Sequence, residues 1–119
     1  MIKKGIAVVS PEDLIGIKLY AYLTAERGNN KHKIDIYAII IGKEELDLDY
    51  LLGEVIPYVS KITDLTEMEI IGRMCSGNEN VLRQFTPKER RFISQECERI
   101  LEHFKYMKGV VALTKPYRI

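Results

Sequence analysis

At 119 residues the chain is about one domain long, and its 46% apolar and 29% charged residues are ordinary globular composition, which excludes a disordered segment or a collagen-like repeat. A net charge of +1 gives no overall field to draw in nucleic acid or an acidic membrane, and no uncharged run, Ile36 to Gly42 included, approaches the roughly 20 residues of a spanning helix. Met1-Ile2-Lys3-Lys4 is followed by too short an apolar stretch for a signal-peptide core, so the expected location is cytoplasmic. Cys75 and Cys97 suggest neither a disulfide framework nor a zinc site and read as core thiols.

The β-prone run Ile6-Ala7-Val8-Val9, stopped by Ser10-Pro11, predicts a short strand. A lone strand leaves its backbone groups unpaired, so it is expected to pair with Val110 to Thr114 at the other end, or with another chain. Ser10-Pro11-Glu12-Asp13 supplies a capping hydroxyl, a first-position proline and first-turn acids, predicting a helix from Pro11 to about Glu26. Gly28-Asn29-Asn30 should turn the chain into a second helix ending near Ile41, making an αα-hairpin. A third helix is expected over Asp49 to Ser60, capped by Asp47 or Asp49 and kinked or ended by Pro57. Thr63 to Glu67 resembles a capping box opening a fourth helix to about Cys75.

After a loop at Ser76-Gly77-Asn78 and one or two turns over Glu79 to Phe85 comes the clearest helix. Thr86 caps it, Pro87 follows, Glu89 completes a capping box, and Ile93, Cys97, Ile100, Leu101, Phe104 and Met107 form one apolar stripe. The expected fold is therefore mainly α, a four- to five-helix bundle-like single domain over 1–119 with a short N-terminal strand. Residues 1–10 lead in, 11–41 form the hairpin, 42–108 hold the remaining helices, and 109–119 form a C-terminal strand or tail.

The hairpin carries two conspicuous charges. Between Leu14 and Leu23 the only ionic side chain is Lys18, and between Ile34 and Ile41 the only one is Asp35. Leu14, Ile17, Lys18, Ala21 and Ala25 share a helix face by the i, i+3, i+4 rule, which puts Lys18 on an apolar surface. An unpaired charge there is costly, so Lys18 and Asp35 are expected to meet across the hairpin, either as a structural ion pair or around a ligand.

Ser10-Pro11-Glu12-Asp13-Leu14-Ile15, Lys18-Leu19, Arg27, Lys31 and Asp35-Ile36-Tyr37 together resemble the pattern SPEDLIxxKLxAxxxRxxxKDxxDL of AbiEii-type nucleotidyltransferases, over about a third of the chain. That resemblance implies a toxin-antitoxin or abortive-infection setting. It would place Lys18, Arg27 and Lys31 at a nucleotide-phosphate site with Asp35 orienting one of them, since a lysine ammonium suits phosphate charge. His32 stands where the family has aspartate, and no Gly-Ser motif precedes any Asp-x-Asp here, the arrangement that holds catalytic metal in the family. The resemblance thus implies a helical half of such a protein, inactive alone, needing Mg²⁺ and a nucleoside triphosphate only where a complete site is assembled; RNA or tRNA is a candidate partner, and the sequence names no acceptor.

Other candidate residues have plainer readings. Asp47-Leu48-Asp49 is formally Asp-x-Asp but sits where acids cap helices. Arg27 and His32 have the spacing of a HEPN-type ribonuclease motif but fall on a turn. His103 reads as a surface residue. Lys88, Arg90 and Arg91, with the tail Lys115-Pro116-Tyr117-Arg118, could contact phosphate but read as solvated surface. The alternative to nucleotide chemistry is a non-catalytic interaction module or homo-oligomer, because the first helix is apolar nearly all round and needs covering.

Overall fold

Ser10 opens the first helix as its sequence predicts: with extended backbone, its Oγ accepts the Asp13 N–H, and Pro11 occupies the first helical position. The computed structural model describes the backbone at residues 2–3, 6–7, 9–25, 30–42 and 45–113, and side chains at 9–25, 30–42 and 45–109. Helix α1 (Pro11–Thr24) stops two residues short of the expected end, and Glu26, Gly28 and Asn29 lie outside the described residues. Helix α2 (Asn30–Gly42) returns against it and buries Lys33, Ile36, Tyr37 and Ile40, the i, i+3, i+4, i+7 stripe of an amphipathic helix.

The third expected helix is corrected. One helical run from Asp47 onward consists of α3 (Leu48–Tyr50), a π-helical turn (Leu51–Val55) and α4 (Ile56–Thr63), and it passes straight through Pro57. Pro57 has no N–H and its ring crowds the preceding turn; the wider π turn, in which the Ile56 N–H reaches back to the Leu51 carbonyl, absorbs both defects. Asp64, in the left-handed region at φ 66°, then ends α4 by donating its N–H to the Ser60 carbonyl at 2.9 Å. The next capping box is therefore Thr66 with Glu69, opening α5 (Glu67–Cys75).

A single turn, α6 (Glu79–Leu82), follows, capped by Asn78. Thr86 and Glu89 exchange hydrogen bonds of 2.9 and 3.1 Å at the start of α7 (Pro87–Leu113). This last helix continues through Gly109, so the strand expected at Val110 to Thr114 is replaced by helix at 110–113, and Thr114 lies outside the described residues. Near the N-terminus, β1 (Ile2–Lys3) runs antiparallel to β2 (Ile6–Ala7); Val8, part of the expected strand, lies outside the described residues. The fold is mainly helical, as expected, and among the described residues no helix is long and apolar enough to cross a membrane.

The core joins Ile15 and Leu19 of α1 and Ile36 and Ile40 of α2 to Leu51, Ile56 and Val59, then to Ile70, Ile71 and Met74 of α5, with Ile93, Ile100 and Phe104 of α7 closing it. Burying each such side chain contributes about 1.5–3 kcal/mol. The buried face of α1 is a further correction: it is Ile15 and Leu19, whereas Leu14 and Ile17, grouped with Lys18 in the sequence, face outward. Gly16 sets this rotation, since a Cβ there would lie 2.6 Å from Val55 Cγ1. Gly16→Ala would ordinarily gain about 1 kcal/mol of helix propensity, but overpacking costs about 1–3 kcal/mol, so a net loss of about 1 kcal/mol is expected. In a Val55→Ala background the same substitution should turn neutral or stabilising, which a double-mutant cycle in urea measures.

Candidate functional site

Lys18 and Asp35 do meet across the hairpin, with Nζ 3.0 Å from Oδ2, as the sequence leads one to expect. The side chains remain 31% and 34% exposed, however, so the pair lies at the hairpin surface. Solvent screening holds such a pair to about 0.2–1 kcal/mol. Lys31, one turn before Asp35 on α2, is exposed and lies on the same side of the helix by the i, i+4 rule. Arg27 lies outside the described residues. His32 is half-buried, and its Nδ1 has no hydrogen-bond partner.

The acids of the Ser10 to Asp13 segment serve the fold locally. Glu12 is buried and accepts the Asp47 N–H at 2.8 Å, tying α1 to the start of α3. Asp13 accepts the Ser10 hydroxyl at 2.9 Å and the Tyr50 hydroxyl at 2.6 Å. That second bond raises the Tyr50 phenol above its ordinary value, because a donated proton is held more tightly against a carboxylate.

Asp47 caps α3 as anticipated, accepting the Tyr50 N–H at 3.0 Å. Asp49 does not cap; its Oδ1 lies 2.7 Å from His103 Nε2 on α7, so His103 is a half-buried tie between elements. No cluster of three or more His, Cys, Asp or Glu side chains able to hold a metal ion occurs among the described residues. Lys88, Arg90 and Arg91 are exposed on the first turns of α7.

Two arrangements went unread in the sequence. The first is an open cleft of about 510 Å³ between α1 and the run from α3 to α4. Gly16, Ile17, Val55, Val59 and Ile62 give it an apolar floor; Tyr20, Tyr50 and Tyr58 stand around it, with Asp13 and Glu54 as the charged groups. Its apolar side chains are unusually bare: Ile17 is 56% exposed and Tyr58 63%. Isolated exposed apolar residues are common, but several gathered in one concave surface mark an interaction site. The signal was present in the all-round apolarity of the first helix, which the sequence assigned to a face without showing which side stays open.

The second is a buried polar clamp. Lys33 is 1% exposed; its Nζ donates to the Ser76 carbonyl and, at 3.1 Å, to the Ser76 Oγ. One turn further along α2 the Tyr37 hydroxyl donates to the Met74 carbonyl at 2.8 Å. These carbonyls belong to the C-terminal end of α5, where helical carbonyls have no intrahelical partner and the dipole favours a cation. The Tyr22 ring lies 5.6 Å from the Lys33 ammonium and 5.9 Å from the Arg73 guanidinium. Burial nonetheless pulls the Lys33 amine below its ordinary value, and burial pushes the Tyr37 phenol up.

The described structure thus holds a polar lock between α2 and the end of α5, and an open apolar cleft between α1 and the run from α3 to α4. No protein-family model matches the chain, and no match is found among curated proteins or solved structures.

Proposed function

We propose that the chain is a non-catalytic interaction module whose cleft between α1 and α4 receives an apolar helical segment of a partner protein, flanked by basic residues. The observation that carries this reading is the cleft lining: five apolar positions and three tyrosines, two acids, and no Lys, Arg or His. A helix anchoring apolar side chains at i, i+3, i+4 and i+7 fits such a groove, and tyrosine supplies contact area at low entropic cost. Asp13 and Glu54 select for positive charge beside the anchors. They also argue against a second copy docked face to face, which would bring like charges together around a two-fold axis.

Fluorescence anisotropy with a panel of amphipathic peptides tests the reading. Peptides with Lys or Arg flanking the apolar stripe are expected to bind at micromolar strength and to weaken with salt, whereas Glu-flanked versions of the same stripe should bind at least tenfold more weakly. Equal binding of both sets, or of neither, would remove the charge-matched groove as the site; a concentration-dependent dimer in light scattering would assign the cleft to a second copy.

A second reading rests on Lys18, Lys31 and Asp35, which the hairpin gathers on one side. In it the chain lends cations to the phosphates of a nucleotide held by a metal-binding half on another polypeptide, as the AbiEii-type resemblance implies. Titration with a nucleoside triphosphate and Mg²⁺, followed at the Lys18 and Lys31 amides by NMR, separates the two readings, because the cleft lies on other residues.

A further inference from the structure

We infer that an open cavity of about 880 Å³ at the start of α1 is a binding site for a small organic polycation, a molecule carrying two or more ammonium or guanidinium groups. The cavity lies between the first turn of α1, the segment that enters α3 and the middle of α7. It shares no lining residue with the cleft proposed for a partner helix, so the two readings stand independently. Carboxylates distant in sequence converge on it: Glu12 from α1, Glu45 and Asp47 ahead of α3, Asp49 within it, and Glu102 from α7.

Glu12 is what makes this more than a group of surface acids. It is only 5% exposed and lines the cavity. Its Oε2 accepts the Asp47 N–H at 2.8 Å, while its Oε1 has no hydrogen-bond or ion-pair partner among the described residues. A buried carboxylate is costly unless donors reach both oxygens, and the cavity is the side from which the missing donor can come. The two cationic side chains in the wall do not supply it. Arg99 is held by both oxygens of Glu96, at 2.9 and 3.0 Å, and His103 Nε2 lies 2.7 Å from Asp49 Oδ1. Glu45 and Glu102 are exposed and have no ion-pair partner among the described residues.

The wall is therefore negative, with one carboxylate oxygen withdrawn from bulk water. A concave wall of one sign focuses its field and concentrates the opposite charge more strongly than a flat surface does. No three of these groups stand together as ligands for one metal ion among the described residues, so the charge is spread and suits an extended cation. Ammonium and guanidinium groups only donate and carboxylates only accept, so each pairing satisfies both sides with a charge-assisted hydrogen bond. One cationic group meets Glu12 Oε1 at the buried part of the wall, and a second meets Glu45 or Glu102 where the wall is exposed.

Titrating the full chain with spermidine, a linear triamine, and with agmatine, a guanidinium amine, tests the site by NMR. The expected result is saturable binding of one molecule per chain, with shifts converging on the amides of Glu12, Asp47, Asp49 and His103 and an affinity that falls as salt is raised. Glu12→Gln keeps an acceptor for the Asp47 N–H but removes the charge, and should weaken binding about tenfold. Glu102→Gln is exposed and keeps the test decisive where the Glu12 variant loosens the fold; it should weaken binding about threefold. Glu98→Gln, on α7 but outside the cavity lining, should leave the affinity as it is. Unsaturable shifts spread over the acidic surface, full affinity in both Glu12→Gln and Glu102→Gln, or an equal loss in Glu98→Gln would each overturn the inference. A lysine-rich peptide that shifts these amides when neither amine does would overturn it in favour of a protein partner.

Discussion

Replacing Lys33 with alanine is expected to destabilise the fold by about 3 kcal/mol, a large part of the stability of a domain of this size. Two losses combine: the hydrogen bonds from the ammonium to the Ser76 carbonyl and hydroxyl, at about 1.5–3 kcal/mol for a charged donor, and the cavity left where the buried stem was. Lys33→Met separates them. It keeps the stem and relieves the cost of burying an ammonium while still removing the donor to Ser76, so it should cost only about 1 kcal/mol. Chemical denaturation of the two variants beside wild type measures the difference; equal costs would mean that packing of the stem contributes nothing. Tyr37→Phe removes the matching bond to the Met74 carbonyl and is expected to cost about 1 kcal/mol.

The same lysine gives stability a pH signature. Burial lowers the Lys33 pKa in the folded chain from its ordinary 10.5, with a smaller push from Arg73 opposed by Cys97 and Cys75. Between the lowered value and 10.5 the unfolded chain binds the proton more often than the folded one, so stability rises with pH across that window. Tyr37 acts in the opposite sense: burial raises its pKa from 10.0, so above that value the unfolded chain alone ionises and stability falls. Wild type should therefore gain stability on approaching pH 10 and lose it beyond, while Lys33→Met loses the rising limb and Tyr37→Phe softens the falling one.

Lys33 also shows where the sequence stops being legible. It stands beside Lys31 and His32 in what reads as a polar turn, and the serine that holds it lies 43 positions away; only its spacing from Ile36, Tyr37 and Ile40 hinted at burial. Helix starts were readable because their chemistry is local. Ser10 with Pro11, and Thr86 with Glu89, carry caps within three residues of one another. Pro57 misled because the rule that proline ends a helix takes no account of a π turn placed just ahead of it.

Gly109-Val110-Val111 misled in another way. Extending a helix already more than 20 residues long costs little per residue, enough to carry it over one glycine despite the β-branched pair that follows. The face of α1 could not be chosen from its pattern at all. Leu14, Ile15, Ile17 and Leu19 are all apolar, and the close approach of Gly16 to Val55 decides which two go inside. The Lys18–Asp35 pair was legible because each was the lone charge in its segment.

Tyr58→Ala should separate binding from folding at the cleft. The side chain is 63% exposed on α4, and removing an exposed ring changes stability by no more than about 0.5 kcal/mol. If the ring is an anchor for a partner helix, its loss removes about 2 kcal/mol of binding, roughly thirtyfold in Kd. Tyr58→Phe should keep most of that affinity, since the ring supplies most of the contact area. Glu54→Gln should mainly slow association and flatten the salt dependence, because charge at the edge of a groove steers encounter more than it holds the complex. Lys18→Ala, outside the cleft lining, should leave Kd within about twofold of wild type. Parallel anisotropy and melting curves on these variants would show affinity falling where stability does not. A Tyr58→Ala chain that binds the basic-flanked peptides as tightly as wild type would mean that the tyrosines are ordinary exposed surface and that the partner docks elsewhere.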